Sequence, residues 1–495
     1  MSDTTDFRPE ARSPRGFQDR RGRDLRAERA ILDAVSKVYE RYGFEPLDTP
    51  AFEYADALGK FLPDSDRPNE GVFAMQDDDE QWMALRYDLT APLARFAAQT
   101  WDTLAKPFRR YAFGTVWRNE KPGPGRFREF TQCDADTVGS DRPEADAEIV
   151  AMAVEGLEAA GIPKGGAVLK INNRKLLNGL LHSAGIDDPT RRLVVLRAVD
   201  KLDRLGAAGV RDLLGKGRMD ESGAFTPGAE LDVRAIDAVI SFMEAGGGAR
   251  SQVIDRLDAV VGGSAEGAEG LKELSLIDAA LKGMGVGEGQ ALFDPAVVRG
   301  LEYYTGPVYE AEIVQTGAGG EPLKLGSIGG GGRYDDLVAR FTGQRTPATG
   351  FSFGVSRLVV ALRQLAWIEG DARHGEVRGP VVVIAFDEAF MPDYFAAVSE
   401  LRAAGIPAEV YLGRSGMKAQ MKYADRRLSP AAVIIGEDER TNGTVTIKDL
   451  DLGRELAAGL KDNVAWRESR PGQVNVPRAD LVETVRRIVR NEANG

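Results

Sequence analysis

The sequence predicts an α/β protein of more than one domain: an α+β core built on an antiparallel sheet, a helical insertion within that core, and a smaller α/β domain at the C-terminal end. Three observations lead there. Residues Arg110–Arg118 and Arg128–Asp136 alternate in polarity on either side of a Gly- and Pro-rich loop, the pattern of two paired strands. Between about Arg192 and Met284 the alternation gives way to a Leu-, Ala- and Gly-rich helical pattern. Beyond Val381, short apolar runs alternate with helix-length segments, as in a small domain with a mostly parallel sheet. We divide the chain into a disordered lead (1–18), a core in two pieces (19–190 and 286–366), a helical insertion (191–285), a linker (367–380) and a C-terminal α/β domain (381–495).

A chain of 495 residues is too long for one ordinary core. Its 43% apolar and 28% charged residues are those of a globular protein, and no apolar run approaches membrane-spanning length. The N-terminal stretch is polar and lacks the apolar core of a secretory signal, so a cytoplasmic location is expected. One cysteine, Cys133, excludes intrachain disulfides. With only His182 and His374 beside it, a Cys/His zinc site and histidine-based acid–base catalysis are disfavoured too. The net charge of −12 argues against a whole-surface nucleic-acid binder. Charge is local, however: Lys106–Glu129 holds seven basic residues against two acidic ones.

The elements follow in order. Leu25, Ile31, Leu32, Val35, Val38, Tyr39 and Tyr42 recur at helical spacing, and Gly43 ends the helix. Phe44–Glu53 is extended, with Pro46 and Pro50 marking an edge or an interface. Met83–Gln99 reads as a strand, a polar turn at Arg86–Thr90, and a helix capped by Thr90 with Pro92 in its first turn. A helix from Asp141, a strand at Ala167–Asn172 and a basic helix from Arg174 lead into the insertion, which has loops at Gly215–Gly217 and Gly246–Gly248. Alternation returns at Ala291–Val314. Gly329–Gly332 lacks the Lys-Ser/Thr of a phosphate loop and reads as a tight turn between strands. Ala348–Leu362 runs from a strand into a helix and sets Arg357 near the helix N-terminus, where anions are favoured. In the last domain Arg414, Lys418, Lys422, Arg426 and Arg427 gather on one segment, a solvated face or a nucleic-acid contact.

The hairpin Lys106–Val138 holds the functional signal. One strand places Arg110, Ala112, Gly114, Val116 and Arg118 on a common face, with Tyr111, Phe113, Thr115 and Trp117 behind as core. Its partner places Arg128, Phe130, Gln132, Asp134 and Asp136 together. An aromatic among polar residues offers a stacking surface, and Lys121, Arg126 and Arg128 suit an anion lying across the loop. We read this face as a floor for a nucleotide and a small polar substrate.

These segments, from about Gly16 to Leu456, resemble the class II aminoacyl-tRNA synthetases and, among them, the histidyl-tRNA synthetase family. Gly43–Glu53 looks like the dimer-forming first motif of that class, Val116–Asp136 like the second and Thr349–Leu358 like the third. Two further stretches, Arg299–Tyr304 (RGLEYY) and Gly331–Asp335 (GGRYD), are similar to signatures of the histidine enzymes. The resemblance implies a homodimer that uses ATP and Mg²⁺ to join L-histidine to tRNA(His), with the C-terminal domain resembling an anticodon-binding domain. By the same resemblance Arg118 and Arg299 are the catalytic pair: Arg118 holds the α-phosphate, and Arg299 sits by the substrate carboxylate. Glu120 accepts from the adenine amino group, Phe130 stacks under the base, and Arg126 and Arg357 bind the outer phosphates. Asp88, Leu89 and Thr90 match the segment that holds the α-amino group, together with Gln132. Asp136 and Tyr304 pair with the imidazole nitrogens, and Tyr303 and Tyr334 line the pocket. For the insertion the family implies a clamp on the tRNA acceptor stem.

Ser356 stands where the third motif usually carries Glu, and this leaves the magnesium ligands unassigned. Two alternatives share the core: a regulatory subunit of ATP phosphoribosyltransferase, whose members usually lack the C-terminal domain, and a catalytically dead RNA-binding or sensor module.

Overall fold

The computed structural model describes residues 9–61, 71–123, 127–219, 223–298, 303–314, 326–365, 378–459 and 472–490. Arg126 and Arg299, and most of the 367–380 linker, lie outside the described residues. The chain forms two compact units, Met1–His374 and Gly375–Gly495.

The first unit is organised by an eight-stranded sheet. Its strands are β1 (Glu45–Pro46), β2 (Phe108–Trp117), β3 (Glu129–Val138), β4 (Ala167–Asn173), β5 (Ala291–Phe293), β6 (Pro307–Ile313), β7 (Ser327–Arg333) and β8 (Ala348–Gly354), in the order β1-β2-β3-β8-β7-β6-β4-β5. The pairs are antiparallel except at the two edges, where β1–β2 and β4–β5 run parallel.

One sheet face packs on helices α1 (Arg23–Arg41) and α3 (Pro143–Ala159), with Ile31, Val35, Val150 and Met152 meeting Phe351, Phe353 and Tyr309 in one apolar cluster. The insertion shares that cluster through Val195, Phe242 and Leu274, the last on the helix Ala265–Gly283. It is helical as expected but also contains a two-stranded hairpin, Gly217–Met219 with Phe225–Pro227, where only a loop was expected. A Cβ at Gly228 would overlap the backbone of Gly215, a close approach that the periodicity of the flanking helices does not reveal.

Four further expectations are corrected. Gly329–Gly332 is not a turn: it forms the middle of β7 and pairs on both sides, with β6 and β8. A Cβ at Gly331 would overlap the Gly350 carbonyl, and one at Gly329 would lie 2.7 Å from the Phe351 ring, so these positions are glycine because the neighbouring strand β8 presses on them. On β2, Tyr111 is buried against Tyr39 (ring centroids 5.7 Å apart), but Phe113 is 48% exposed and Thr115 only half-buried, because α1 covers just the Tyr111 end. Helix α2 (Thr90–Thr100) is capped by Asp88 rather than by the Thr90 hydroxyl: Asp88 Oδ1 accepts from the backbone N–H of Thr90 (3.1 Å) and Ala91 (2.9 Å). The expected disordered lead fails at Gly16 and Phe17. The Gly16 carbonyl accepts from the Arg128 N–H (2.9 Å), and the Phe17 ring meets Phe73 edge-on at 5.8 Å.

In the second unit β9 (Val381–Ile384), β10 (Ala408–Val410) and β11 (Ala431–Ile434) are parallel, and β12 (Thr444–Asp449) and β13 (Gln473–Pro477) add antiparallel strands on one side. The helix Met417–Arg426 carries Lys418, Lys422 and Arg426 exposed to solvent.

Candidate active site

A cavity of about 450 Å³ opens on the sheet face away from α1 and α3. Its floor is laid by β3, β8 and β7. Along β3 the alternation sends Phe130, Gln132, Asp134 and Asp136 to the cavity, and the ladder sets Gln132 against Gly114 and Asp136 against Arg110 on β2. On the other side Gly350 of β8 faces Asp136, where a Cβ would overlap the Asp136 carboxylate. The glycines of β7 and β8 thus give the floor a bare backbone surface on which a ligand can lie close.

Of the residues singled out from the sequence, Asp88, Thr90, Arg118, Glu120, Phe130, Gln132, Asp136, Tyr303, Tyr304, Tyr334 and Arg357 all line this one cavity. Leu89 does not: it is buried, and its carbonyl accepts from Arg110 Nη2 at 2.9 Å, so it anchors the wall instead of facing a ligand.

The cavity has two chemically distinct ends. At one, the Arg118 guanidinium lies 5.2 Å from the Phe130 ring centroid, and its Nε donates to the Tyr87 carbonyl (3.1 Å). A cation fixed over an aromatic ring suits a phosphate next to a stacked base. Arg357, at the start of the helix Val355–Gln364, donates to the Ser327 carbonyl at 2.7 Å. Ser356 accepts from the Thr131 N–H (3.1 Å), so the residue that departs from the third motif ties its helix to β3. The loop joining β2 to β3 is held at its base: Arg118 N–H donates to the Arg128 carbonyl, and Arg128 Nε to the Glu120 carbonyl, both at 2.9 Å.

At the other end Asp136 is almost fully buried. Arg110 Nη2 sits 2.9 Å from its Oδ2, and the Tyr334 hydroxyl donates to its Oδ1. Tyr334 therefore engages the key carboxylate directly, whereas Tyr304 meets the Tyr303 hydroxyl (3.1 Å) with the two rings 4.4 Å apart. Burial pushes the Asp136 carboxyl up, and Arg110 and then Tyr334 pull it back. Burial likewise raises Asp88, against the pull of its Ala91 and Thr90 amide bonds and of Arg118. Asp134 is pushed up to about 7, first by burial and further by Asp136, with Arg110 opposing. Sequence reasoning placed Asp134 on this face but gave it no part in binding. The available signal was its i, i+2 spacing from both Gln132 and Asp136.

An antiparallel sheet with a motif-two hairpin as its floor is the architecture of the class II aminoacyl-tRNA synthetases. A family model described as histidyl-tRNA synthetase matches residues 16–358, and one described as an anticodon binding domain matches 380–488. The chain is 71% identical over 488 residues to the histidine--tRNA ligase of Caulobacter vibrioides, covering 98% of each chain. It is 54% identical over 500 residues to that of Brucella suis, covering 100% of this chain and 98% of the relative. A crystal structure of histidyl-tRNA synthetase from Nostoc superposes with a TM-score of 0.71 at 29% identity, covering 97% of this chain and all of the other. A Bacillus halodurans protein described as an ATP phosphoribosyltransferase regulatory subunit/histidyl-tRNA synthetase shares the fold at 22% identity, with a TM-score of 0.66 over 84% of this chain and 97% of the other. The chain belongs to the histidyl-tRNA synthetase family.

Proposed function

We infer that the chain is a histidine--tRNA ligase, which activates L-histidine with ATP as histidyl-adenylate and transfers the histidyl group to the 3′ end of tRNA(His). One observation carries the assignment from geometry: a single cavity joins the Arg118–Phe130 shelf to the buried Asp136–Tyr334 end. The match of residues 380–488 to an anticodon-binding domain favours this over a regulatory subunit or a dead module, neither of which needs both the shelf and that domain.

The chemistry requires these residue types. The histidine carboxylate attacks the α-phosphorus, the new C–O–P bond forms, and pyrophosphate leaves. Two anions must approach, so cations matter more than bases, and the carboxylate needs no deprotonation. Arg118 carries the α-phosphate, and Arg299 screens the carboxylate and the same phosphate. Phe130 stacks under adenine, Glu120 accepts from its amino group, and Arg126 and Arg357 hold the outer phosphates. Asp88, Leu89, Thr90 and Gln132 form the wall at the α-amino group. Asp136 and Tyr304 read the imidazole nitrogens, with Tyr303 and Tyr334 packing the ring. A site that pairs both ring nitrogens rejects analogues lacking them by about 10⁴-fold.

Magnesium would screen the triphosphate. Among the described residues no cluster of three or more metal-ligating side chains occurs, which fits an ion that travels on ATP with its own waters. Two copies of the chain would pair through the small sheet Phe52–Tyr54, Ala74–Gln76 and Trp82–Leu85. There Tyr54, Met83 and Met75 form one cross-strand row, with Tyr54 and Met75 each at least half exposed. Charging of tRNA for translation sets the proposed place of work in the cytoplasm; separately, among the described residues no helix is long and apolar enough to cross a membrane. The domain limits follow the same assignment: core in 19–190 and 286–366, insertion in 191–285 against the acceptor stem, linker in 367–380, and anticodon recognition in 381–495, where the exposed Lys418, Lys422 and Arg426 suit RNA phosphates.

The test is amino-acid-dependent exchange of labelled pyrophosphate into ATP, run with and without tRNA. Exchange with histidine alone is expected, and Arg299→Ala should abolish it with the fold and the dimer intact. Absence of exchange with every amino acid, with or without tRNA, would overturn the assignment.

A further inference from the structure

We propose that Asp134 is the countercharge for the α-ammonium group of the bound amino acid, a specificity-determining contact separate from the ring-binding Asp136. The proposal rests on the amino-acid site assigned above and adds a residue to it.

Asp134 is only 2% exposed, it lines the cavity, and its Oδ1 has no hydrogen-bond partner. A buried carboxylate oxygen left in this way costs more than it gains unless a ligand completes it. The neighbouring carboxylates are each engaged through at least one oxygen. Asp136 takes the Tyr334 hydroxyl and Arg110, and Asp88 Oδ1 takes two amide N–H groups at the start of α2. Gln132 donates its Nε2 to Ser352 Oγ (3.0 Å), and its Oε1 is also buried without a partner. Gln132 Oε1 and Asp134 Oδ1 therefore stand unfilled on alternate residues of β3, and Asp136 Oδ2 beyond them has the Arg110 charge beside it but no hydrogen bond. An ammonium group, with three donors and no acceptor, is the complement of such a pair.

Charge and position agree. The inner cavity gathers Asp88, Asp134 and Asp136, with the Arg110 guanidinium closest to Asp136, Arg118 acting on Asp88 and Arg86 on Asp134. Three carboxylates this close together favour a ligand that brings a positive charge. Across the ladder from Asp134 stand Ala112, with no polar atom to offer, and Ser352, whose hydroxyl bonds the carboxylate yet leaves Oδ1 unfilled. With the ring at Asp136, the α-nitrogen of histidine lies three bonds away, about one pleat back along β3, which is the level of Asp134. Burial pushes the Asp134 carboxyl up to about 7, and a cation at Oδ1 would favour its ionised form.

The test compares two ligands by calorimetry on the full chain without ATP: histidinol, which keeps the ammonium and lacks the carboxylate, and imidazole-4-propionate, which lacks the ammonium. Asp134→Asn keeps the shape and removes the charge. It is expected to weaken histidinol by about 10- to 100-fold and imidazole-4-propionate by less than about 2-fold. Equal loss on both ligands would make Asp134 a support of the ring site or of the fold, and no loss on either would remove it from the site. Both results overturn the proposal. Should that variant not fold, Asp134→Ser takes its place with the same expected and refuting outcomes, and wild-type protein that binds imidazole-4-propionate as tightly as histidinol would by itself refute an ammonium contact. A folded wild-type protein that binds neither these ligands nor histidine would bring down the amino-acid site itself, which is distinguishable from failure at Asp134.

Discussion

Replacing Arg110 by Met would remove the guanidinium paired with Asp136 at the buried end of the cavity while keeping much of the side chain's length. Arg110 is fully buried, with Asp136 Oδ2 at 2.9 Å and the Leu89 carbonyl at 2.9 Å. Taking one partner from a buried ion pair costs about 3–5 kcal/mol, because the other charge is left without compensation. The protein can limit that loss by taking up a proton, and this makes the effect depend on pH. Asp134 and Asp136 both have folded-state values raised by burial, Asp134 to about 7, and Arg110 is what holds them down. A carboxyl raised on folding contributes stability that is complete below its unfolded value and is lost as pH rises through its folded value. Without Arg110 both folded values climb further, so the deficit of Arg110→Met should be large at pH 7.5 and shrink at pH 5.5. At about 1.4 kcal/mol per pH unit for each proton, a narrowing of about 1–3 kcal/mol is expected between those conditions. Urea-induced unfolding of wild type and variant at the two pH values measures it. A deficit that stays constant across that range would show that Arg110 acts through packing, and the electrostatic account of this end of the cavity would fail.

Two further outcomes follow from glycines. Gly350→Ala would drive a methyl group into the Asp136 carboxylate and part it from Tyr334, raising the KM for histidine by about 10- to 100-fold in pyrophosphate exchange. The KM for ATP should change little, and an unaltered KM for histidine would refute the close approach. Gly16 has φ +88°, and a Cβ there would lie 2.9 Å from the Arg128 side chain. Gly16→Val would carry about 1–2 kcal/mol of backbone strain and loosen the base of the ATP-side loop, raising the KM for ATP and sparing that for histidine. Equal effects on both substrates would exclude a local role for this segment.

Much of the site was legible because strand alternation is a strict two-residue code. Phe130, Gln132 and Asp136 could be placed on one face before any coordinates, and the cavity receives all three. What alternation cannot report is which face of β2 is covered along its length, and so Phe113 was misplaced. Gly329–Gly332 misled for a related reason. Glycine runs usually mark turns, and only the neighbouring strands reveal that side chains there would collide. The capping of α2 by Asp88 was hidden because Thr90 offered an equally good cap in sequence. Asp134 was placed on the right face but given no role, because a carboxylate between Gln132 and Asp136 reads as part of a wet face until its burial and its unpartnered Oδ1 are seen.

The bare floor of the cavity has an evolutionary corollary. Gly329, Gly330, Gly331 and Gly350 present main chain to the ligand, and no smaller residue exists. Every substitution at these positions adds atoms, so mutation can make the cavity shallower from below but never deeper. Acceptance of a bulkier amino acid would have to come from the tyrosine walls, at Tyr303, Tyr304 and Tyr334, where there is volume to give up. Those three positions, and not the floor, are where a library aimed at a new substrate should vary the chain.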